Sequence, residues 1–443
     1  MGESCREFEL VSPGDGAWAD QSIGFAAGAD YGADRPAGIA LCQDSAAVCD
    51  AVAYALEHGM KVRPRSGRHD FEGRSSRVRD GLIVDLRGLS YFEPAGSGEV
   101  WVGPGTNMAE LIQELDAAGT AMPYATAGTV GVGGFLLGGG LGMSMRLWGL
   151  ATRHVTGFEI VLADGTAREV TAESDSDLFW AVLGGGPGFG VVTRFRIRPQ
   201  RVDRVGVIQI NWPWIELESV VDRWQRSVGE QPPELTTMLR LTIDGKLQLT
   251  GQWTGDGDHP ELLTSALQHL GGGPKFRSLS HLEAALEFFG VTERCPLGWH
   301  ANLGSQLFKS TSSFAYEPLP ASAIRLIRTA LEQHPKLLVA SSQPSMVQLL
   351  GGQGAPLDDR TCTPHSAARF LVQYDGYWSI PQDREPIRGW VRKLRQEMLP
   401  FTEGAFCNYT DDDLQDPEKA YFGEHVERLA AIKKRVDPLR LFS

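Results

Sequence analysis

Two hydrophobic periods alternate along this chain, and the changes between them mark out the elements. Over residues 36–102, the apolar run PAGIALC has strand length. Val48, Val52, Ala55 and Leu56 follow it at helical spacing, with Ser45 placed to cap that helix and Gly59 to stop it. MKVRP, GLIVDLRGL and EVWVGPG predict further strands, and Asn107 with Glu110 predicts a capping box for a helix through Ala118. TGFEIVLADG and GTAREVT predict a hairpin about Asp164-Gly165, and FGVVTRFRIRP predicts a closing strand.

From about residue 203 the texture changes. RVGVIQINW, LTTMLRLTI, KLQLTGQW, SMVQLLGG and RFLVQYDGYW alternate like antiparallel strands, separated by helical segments at 214–229 and 320–333. From 391 a helix, a strand AFCNY and the amphipathic helix HVERLAAIKKRV are expected. The predicted fold is therefore α+β. A two-lobed domain of small mixed sheets with helices occupies 30–202. An antiparallel-sheet domain covered by helices occupies 203–390, and a segment 391–443 returns to the first domain.

Composition narrows the function. The chain has 443 residues and a formal net charge of −13, which argues against a nucleic-acid partner. Its six cysteines (Cys5, Cys42, Cys49, Cys295, Cys362, Cys407) have no CxxC spacing, so reduced thiols, no metal site and a cytoplasmic setting are expected. The uncharged run Ala117–Met145 holds eight glycines between Gly128 and Gly142, a poor composition for a membrane helix and a better one for a wall against a ligand.

The chemistry concentrates in a few stretches. RPRSGRHDFEGRSS follows a strand, and its Gly/Ser turn and arginines suit a phosphate or pyrophosphate, although a solvated basic turn has the same composition. TAGTVGVGGFLLGGGLG removes side chains where a flat or extended ligand would approach the backbone. It is not a Rossmann fingerprint, because the third glycine and the acidic residue about 20 positions on are both missing. In CNYTDDD, a strand would place Cys407 and Tyr409 on one face and Asn408 on the other. Tyr409 could act as a general base if nearby positive charge lowered its pKa.

In order, RSGRHDFEG, GGFLLGGGLG, WGLATRHVTGFEIVLADG, DLFWAVLGGGPGFGVVTRF, FCNYTDDD and YFGEHVERLAAIKKRVDPLRLF resemble the vanillyl-alcohol-oxidase superfamily of flavoproteins, in its berberine-bridge-enzyme-like branch with a PCMH-type FAD-binding domain. The resemblance implies that Arg65, Ser66, Gly67, Arg68, Asp70 and Ser75 wrap the FAD pyrophosphate. It makes His69 the residue that bonds the flavin 8α-methyl carbon. It also places Ala127, Gly128, Val130, Gly133 and Gly134 against the cofactor. Phe135, Gly138, Gly142, Val192 and Asn408 belong to the same cofactor set, and Tyr409 and Tyr374 are the catalytic candidates.

The departures from the family pattern carry information of their own. Ala127 stands where doubly tethered members have cysteine, so a single covalent attachment is implied. Phe135 replaces a family histidine near the flavin N1–C2 carbonyl, leaving Arg68 or backbone N–H groups to stabilise negative charge there. Arg68 replaces a glycine, and Arg153-His154 replaces the usual Asp-Asn. Val130 occupies the position that gates oxygen, where valine accompanies oxidases.

The implied activity is a covalently flavinylated FAD-dependent oxidase that acts on a small organic molecule with O2 as acceptor. A dehydrogenase, a cyclising tailoring enzyme of secondary metabolism and a non-catalytic nucleotide-binding protein are the alternatives. Tyr374, Tyr377 and Trp378 hint at an aromatic-lined pocket, with core packing as the simpler reading.

Overall fold

The computed structural model describes residues 7–32, 34–255, 257, 259–290, 306–341, 343–352, 354–356, 358–362 and 364–442. Cys5 and Cys295 lie outside them; Cys42, Cys49, Cys362 and Cys407 are free thiols. No helix among the described residues is long and apolar enough to cross a membrane.

Three main sheets carry the architecture. In the first lobe, strands Gly38–Leu41, Val62–Arg65 and Leu82–Asp85 run parallel, and Glu9–Val11 joins the edge antiparallel. The helix Ser45–Glu57 buries Ala47, Val48, Ala51, Val52 and Ala55. Its cap is Asp44 rather than Ser45: the Asp44 carboxylate accepts from the Ala47 N–H at 2.8 Å, while the Ser45 hydroxyl turns to Thr193.

The second lobe is an antiparallel five-stranded sheet in the order Phe92–Gly96, Glu99–Val102, Val191–Ile197, Val155–Val161, Ala167–Val170. The hairpin pairs Val161 with Ala167 as the Asp-Gly turn predicts. The capping box of Asn107 and Glu110 starts the helix Met108–Ala117, whose Leu111, Ile112 and Leu115 are buried. The glycine-rich run is not a featureless loop, because it contains the short helix Val132–Leu137.

The third sheet has seven antiparallel strands in the order Lys275–Leu279, Val205–Trp212, Leu247–Trp253, Leu235–Thr242, Met346–Gly351, Phe370–Tyr377, Phe308–Ala315. Pleating sends alternate residues to opposite faces. Leu239, Leu249, Leu349, Val372 and Tyr374 pack beneath the helices Leu217–Ser227, Ala321–Glu332 and Arg384–Met398. The opposite face turns toward the first two lobes. The expected start of the last segment at 391 falls inside the helix Arg384–Met398, which packs on the large sheet.

Beyond that helix the chain returns to the first lobe. The helix Val426–Val436 ends there, Asp437 accepts from the Leu441 and Phe442 N–H groups, and the Val62 N–H donates to the Leu441 carbonyl at 2.8 Å.

Candidate functional site

A cavity of about 1120 Å³ lies where the loop 66–76, the glycine-rich wall and the open face of the large sheet meet. It exceeds what one drug-sized ligand fills, and suits a dinucleotide together with a small molecule.

The loop is folded by its own side chains. The Asp70 carboxylate accepts from the N–H groups of Glu72 (3.0 Å) and Arg74 (2.7 Å), drawing residues 70–74 into a turn. At Gly67 any Cβ would stand 2.4 Å from the Gly131 nitrogen, so only glycine lets this loop touch the glycine-rich wall. His69 stacks on Phe25 with ring centroids 3.9 Å apart, and its Nε2 is buried with no hydrogen-bond partner. Burial pulls the imidazole down to about 4, so the ring is neutral with a free lone pair at neutral pH. The Ser75 hydroxyl is a second buried orphan on the same side.

Two of the arginines are placed differently from the expectation. Arg65 is 1% exposed and donates to Asp85 at 2.9 Å, so its charge is already matched inside the lobe. Arg68, at φ 57°, contributes backbone to the cavity, while its guanidinium donates to the Asp20 and Ile23 carbonyls. Both bonds use one terminal nitrogen and hold the guanidinium against the 20–23 segment. Arg63, which sequence reasoning passed over, lines this wall without a carboxylate within 4 Å among the described residues.

Across from the loop, Ala127, Gly128, Val130, Gly133 and Gly134 line the cavity. The start of the helix Met108–Ala117 fixes this wall: Met108 N–H donates to the Val130 carbonyl at 2.8 Å and Ala109 N–H to that of Gly128 at 3.0 Å. Phe135, Gly142 and Val192 also line it. Gly138 does not. A Cβ there would stand 2.1 Å from Asn408 Oδ1, so its role is to seat Asn408, whose side-chain N–H donates to the Phe135 carbonyl. Arg153 and His154 lie outside the cavity lining, with the His154 ring bonded to the Arg198 carbonyl.

CNYTDDD is a turn and not a strand, with the Tyr409 N–H donating to the Phe406 carbonyl at 2.9 Å. Cys407, Asn408 and Tyr409 consequently all reach the cavity instead of dividing between faces. The Tyr409 ring stacks on Phe71 at 5.2 Å. Its phenol is pushed up rather than down, first by burial and then by the Asp375 carboxylate, so it stays protonated at neutral pH. A general-base role for Tyr409 finds no support in this electrostatic setting.

Tyr374 is not in the site. It is fully buried on the helix-covered face, and burial raises its phenol to about 12. The polar residues that do reach the cavity from the large sheet are Arg240, Gln348, Gln373, Asp375 and Tyr377. They form a directed row: Arg240 Nε donates to Gln348 Oε1 (3.0 Å), Gln348 Nε2 to Gln373 Oε1 (3.2 Å), and Gln373 Nε2 to Asp375 Oδ1 (3.0 Å). Asp375 also accepts from Ser310 Oγ at 2.6 Å. Burial raises this carboxyl to about 6, with the Ser310 and Gln373 bonds and the Arg240 charge limiting the rise. Sequence reasoning missed the row, although polar residues at matching parity, one each in MLRL and MVQL and two in LVQYDG, signal it.

Behind the site, buried Lys309 binds the carboxylates of Glu72 and Asp411, with Asp413 at 3.2 Å. One ammonium thereby ties the His69 loop, the Tyr409 turn and the large sheet together. Arg74 and Arg77 add ion pairs to Asp412 at 2.8 and 2.9 Å.

Comparison with known proteins agrees with this geometry. Residues 36–171 match the family described as FAD binding domain, and residues 405–443 match the family described as berberine and berberine like. The chain is 27% identical over 415 residues to the FAD-linked oxidoreductase YgaK of Bacillus subtilis, covering 91% of this chain and 89% of that one. It is 26% identical to the chitooligosaccharide oxidase of Gibberella zeae, covering 92% and 86%. The structure superposes on BBE-like 1 of Physcomitrella patens with a TM-score of 0.89, 22% identity and coverage of 99% and 96%. Two matched domains bracketing one cavity, with relatives aligned nearly end to end, identify the chain as an FAD-linked oxidoreductase similar to the berberine-bridge-enzyme-like proteins.

Proposed function

We propose that the protein is a covalently flavinylated oxidase of a small organic alcohol, with His69 as the single tether and Asp375 as the proton acceptor. The cavity fits the cofactor: the glycine-rich wall admits a flat ring system, and the unpaired His69 Nε2 and Ser75 hydroxyl are polar groups that want a partner. FAD held between the His69 loop and the glycine-rich wall would supply a two-electron acceptor for a hydride from the substrate carbon, with O2 as the final acceptor and H2O2 as its product.

The protein's own residues supply the rest. Neutral His69 offers a lone pair for the tether, and Ala127 offers no second thiol. Asp375 takes the hydroxyl proton while Tyr409 and Tyr377, both protonated, hold the substrate oxygen. Val130 keeps a small side chain on the wall, the feature that favours O2 over another acceptor. The lobes divide at about 30–202 and 203–390, with the helix Arg384–Met398 completing the second and the chain beyond it closing the flavin domain.

The observation that carries this reading is Asp375: a carboxylate raised to about 6, hydrogen-bonded in place, on the sheet face that looks onto the His69 loop and the glycine wall. The test is chemical. Acid-precipitated protein should stay yellow, with the mass of one FAD on the peptide containing His69, and His69→Ala should release its flavin on denaturation. Wild-type flavin washing free overturns the tether. Dithionite-reduced protein that reoxidises no faster in air than free flavin overturns the oxidase.

A further inference from the structure

One guanidinium in the cavity acts on Asp375 through its charge and yet has no partner of its own on its terminal nitrogens in this scheme. Arg240 stands on the strand Leu235–Thr242, with its Nε fixed by Gln348 at 3.0 Å. Its Nε bond is the one hydrogen bond the side chain makes among the described residues, its two terminal nitrogens meet no carboxylate within 4 Å there, and the side chain lines the cavity. The other arginines lining the cavity, Arg63, Arg65, Arg68 and Arg74, all belong to the 63–74 stretch on the opposite wall. Arg240 is therefore the lone cation of the sheet face among the described residues. A guanidinium withdrawn from bulk water with an unfilled fork favours a planar anion that can take two parallel N–H bonds.

We propose that Arg240 anchors a carboxylate of the substrate, making the substrate a small hydroxy acid rather than a neutral sugar. This rests on the reading of Asp375 as the proton acceptor in the same cavity. Arg240 and Gln373 are each paired directly with Gln348, so their backbones stand two strand spacings apart, roughly 10 Å. Asp375 lies beyond Gln373 on the same face. The substrate hydroxyl and its carboxylate must then occupy opposite ends of this row, joined by a short carbon segment. Met238, Met346 and Leu350 line the same face and suit that segment. A single positive charge matches one carboxylate better than a doubly charged phosphate.

Isothermal calorimetry of the purified holoprotein with benzoate and with its neutral analogue benzamide tests this without requiring turnover. Benzoate should bind at least tenfold more tightly than benzamide. Arg240→Gln should remove that preference, leaving benzamide binding and flavin content unchanged, and Arg240→Lys should restore part of it. Equal binding of the two probes by the wild type, which needs no variant, overturns the proposal; so does benzoate binding that survives Arg240→Gln. Because calorimetry reads binding in flavin that never turns over, Arg240-dependent benzoate binding by a protein that forms no H2O2 would overturn the oxidase reading alone.

Discussion

Tyr374 and Asp375 are consecutive residues that serve opposite sides of one sheet. The Tyr374 hydroxyl meets Ser313 Oγ at 2.8 Å under the covering helices, and the Asp375 carboxylate meets Ser310 Oγ at 2.6 Å facing the cavity. The alternation of the pleat separates them, and it decides which of the two can touch a substrate.

Tyr374→Phe should therefore leave the rate of anaerobic flavin reduction unchanged. It should cost about 0.5–1.5 kcal/mol of stability, the net worth of one buried hydrogen bond, read from the midpoint of urea unfolding. A large fall in rate with stability intact would return Tyr374 to the site.

Asp375→Asn should slow anaerobic flavin reduction by about 10²–10⁴-fold, the usual loss for a general base. The sign of the pH dependence follows from the raised carboxyl. Below about pH 6 the wild-type group is protonated and cannot accept a proton, so the rate should climb through that pH and level off above it. The asparagine variant should show no such step. Tyr409→Phe, which removes a donor and not the base, should cost about tenfold and keep the wild-type pH profile.

Val130→Leu should slow air reoxidation of the reduced flavin by about tenfold, 1.4 kcal/mol of barrier, because one added methylene narrows a close-packed wall. Substrate reduction of the flavin should hardly change. Stopped-flow mixing of reduced enzyme with oxygenated buffer, with wild type and variant in parallel, measures both.

Lys309→Met removes the ammonium between Glu72 and Asp411, two carboxylates buried behind the site. Leaving Asp411 without a cation and Glu72 with only Arg388 at 3.6 Å should cost about 3–5 kcal/mol and lower the flavin content of the purified protein. A double variant with Glu72→Gln should recover part of the stability, since one of the stranded charges is then gone.

The sequence by itself determined the elements whose signals are local. The Asn107–Glu110 capping box, the Asp164-Gly165 hairpin and five alternating strands of the large sheet all stand where their patterns put them. The ordered motifs likewise led to the flavin-binding family, because glycines such as Gly67 are demanded by close backbone approach, a constraint written at single positions.

Tertiary structure decided what each polar side chain meets. Phe308–Ala315 reads FKSTSSFA and shows no strand pattern, yet every residue of it is buried. Its polar groups are satisfied from far along the chain: Thr311 by Asp411, Ser310 by Asp375 and Ser312 by the Phe406 N–H. CNYTDDD has strand-like residues but folds as a turn, since Asp411, Asp412 and Asp413 are each drawn to cations on other elements. Arg65 and Arg68 sit in the expected stretch but spend their charge on Asp85 and on backbone carbonyls, while the open guanidinium of the sheet face is Arg240, on another domain. Periodicity records which face a residue takes; the partner across that face is set by segments hundreds of residues away, and only packing brings them together.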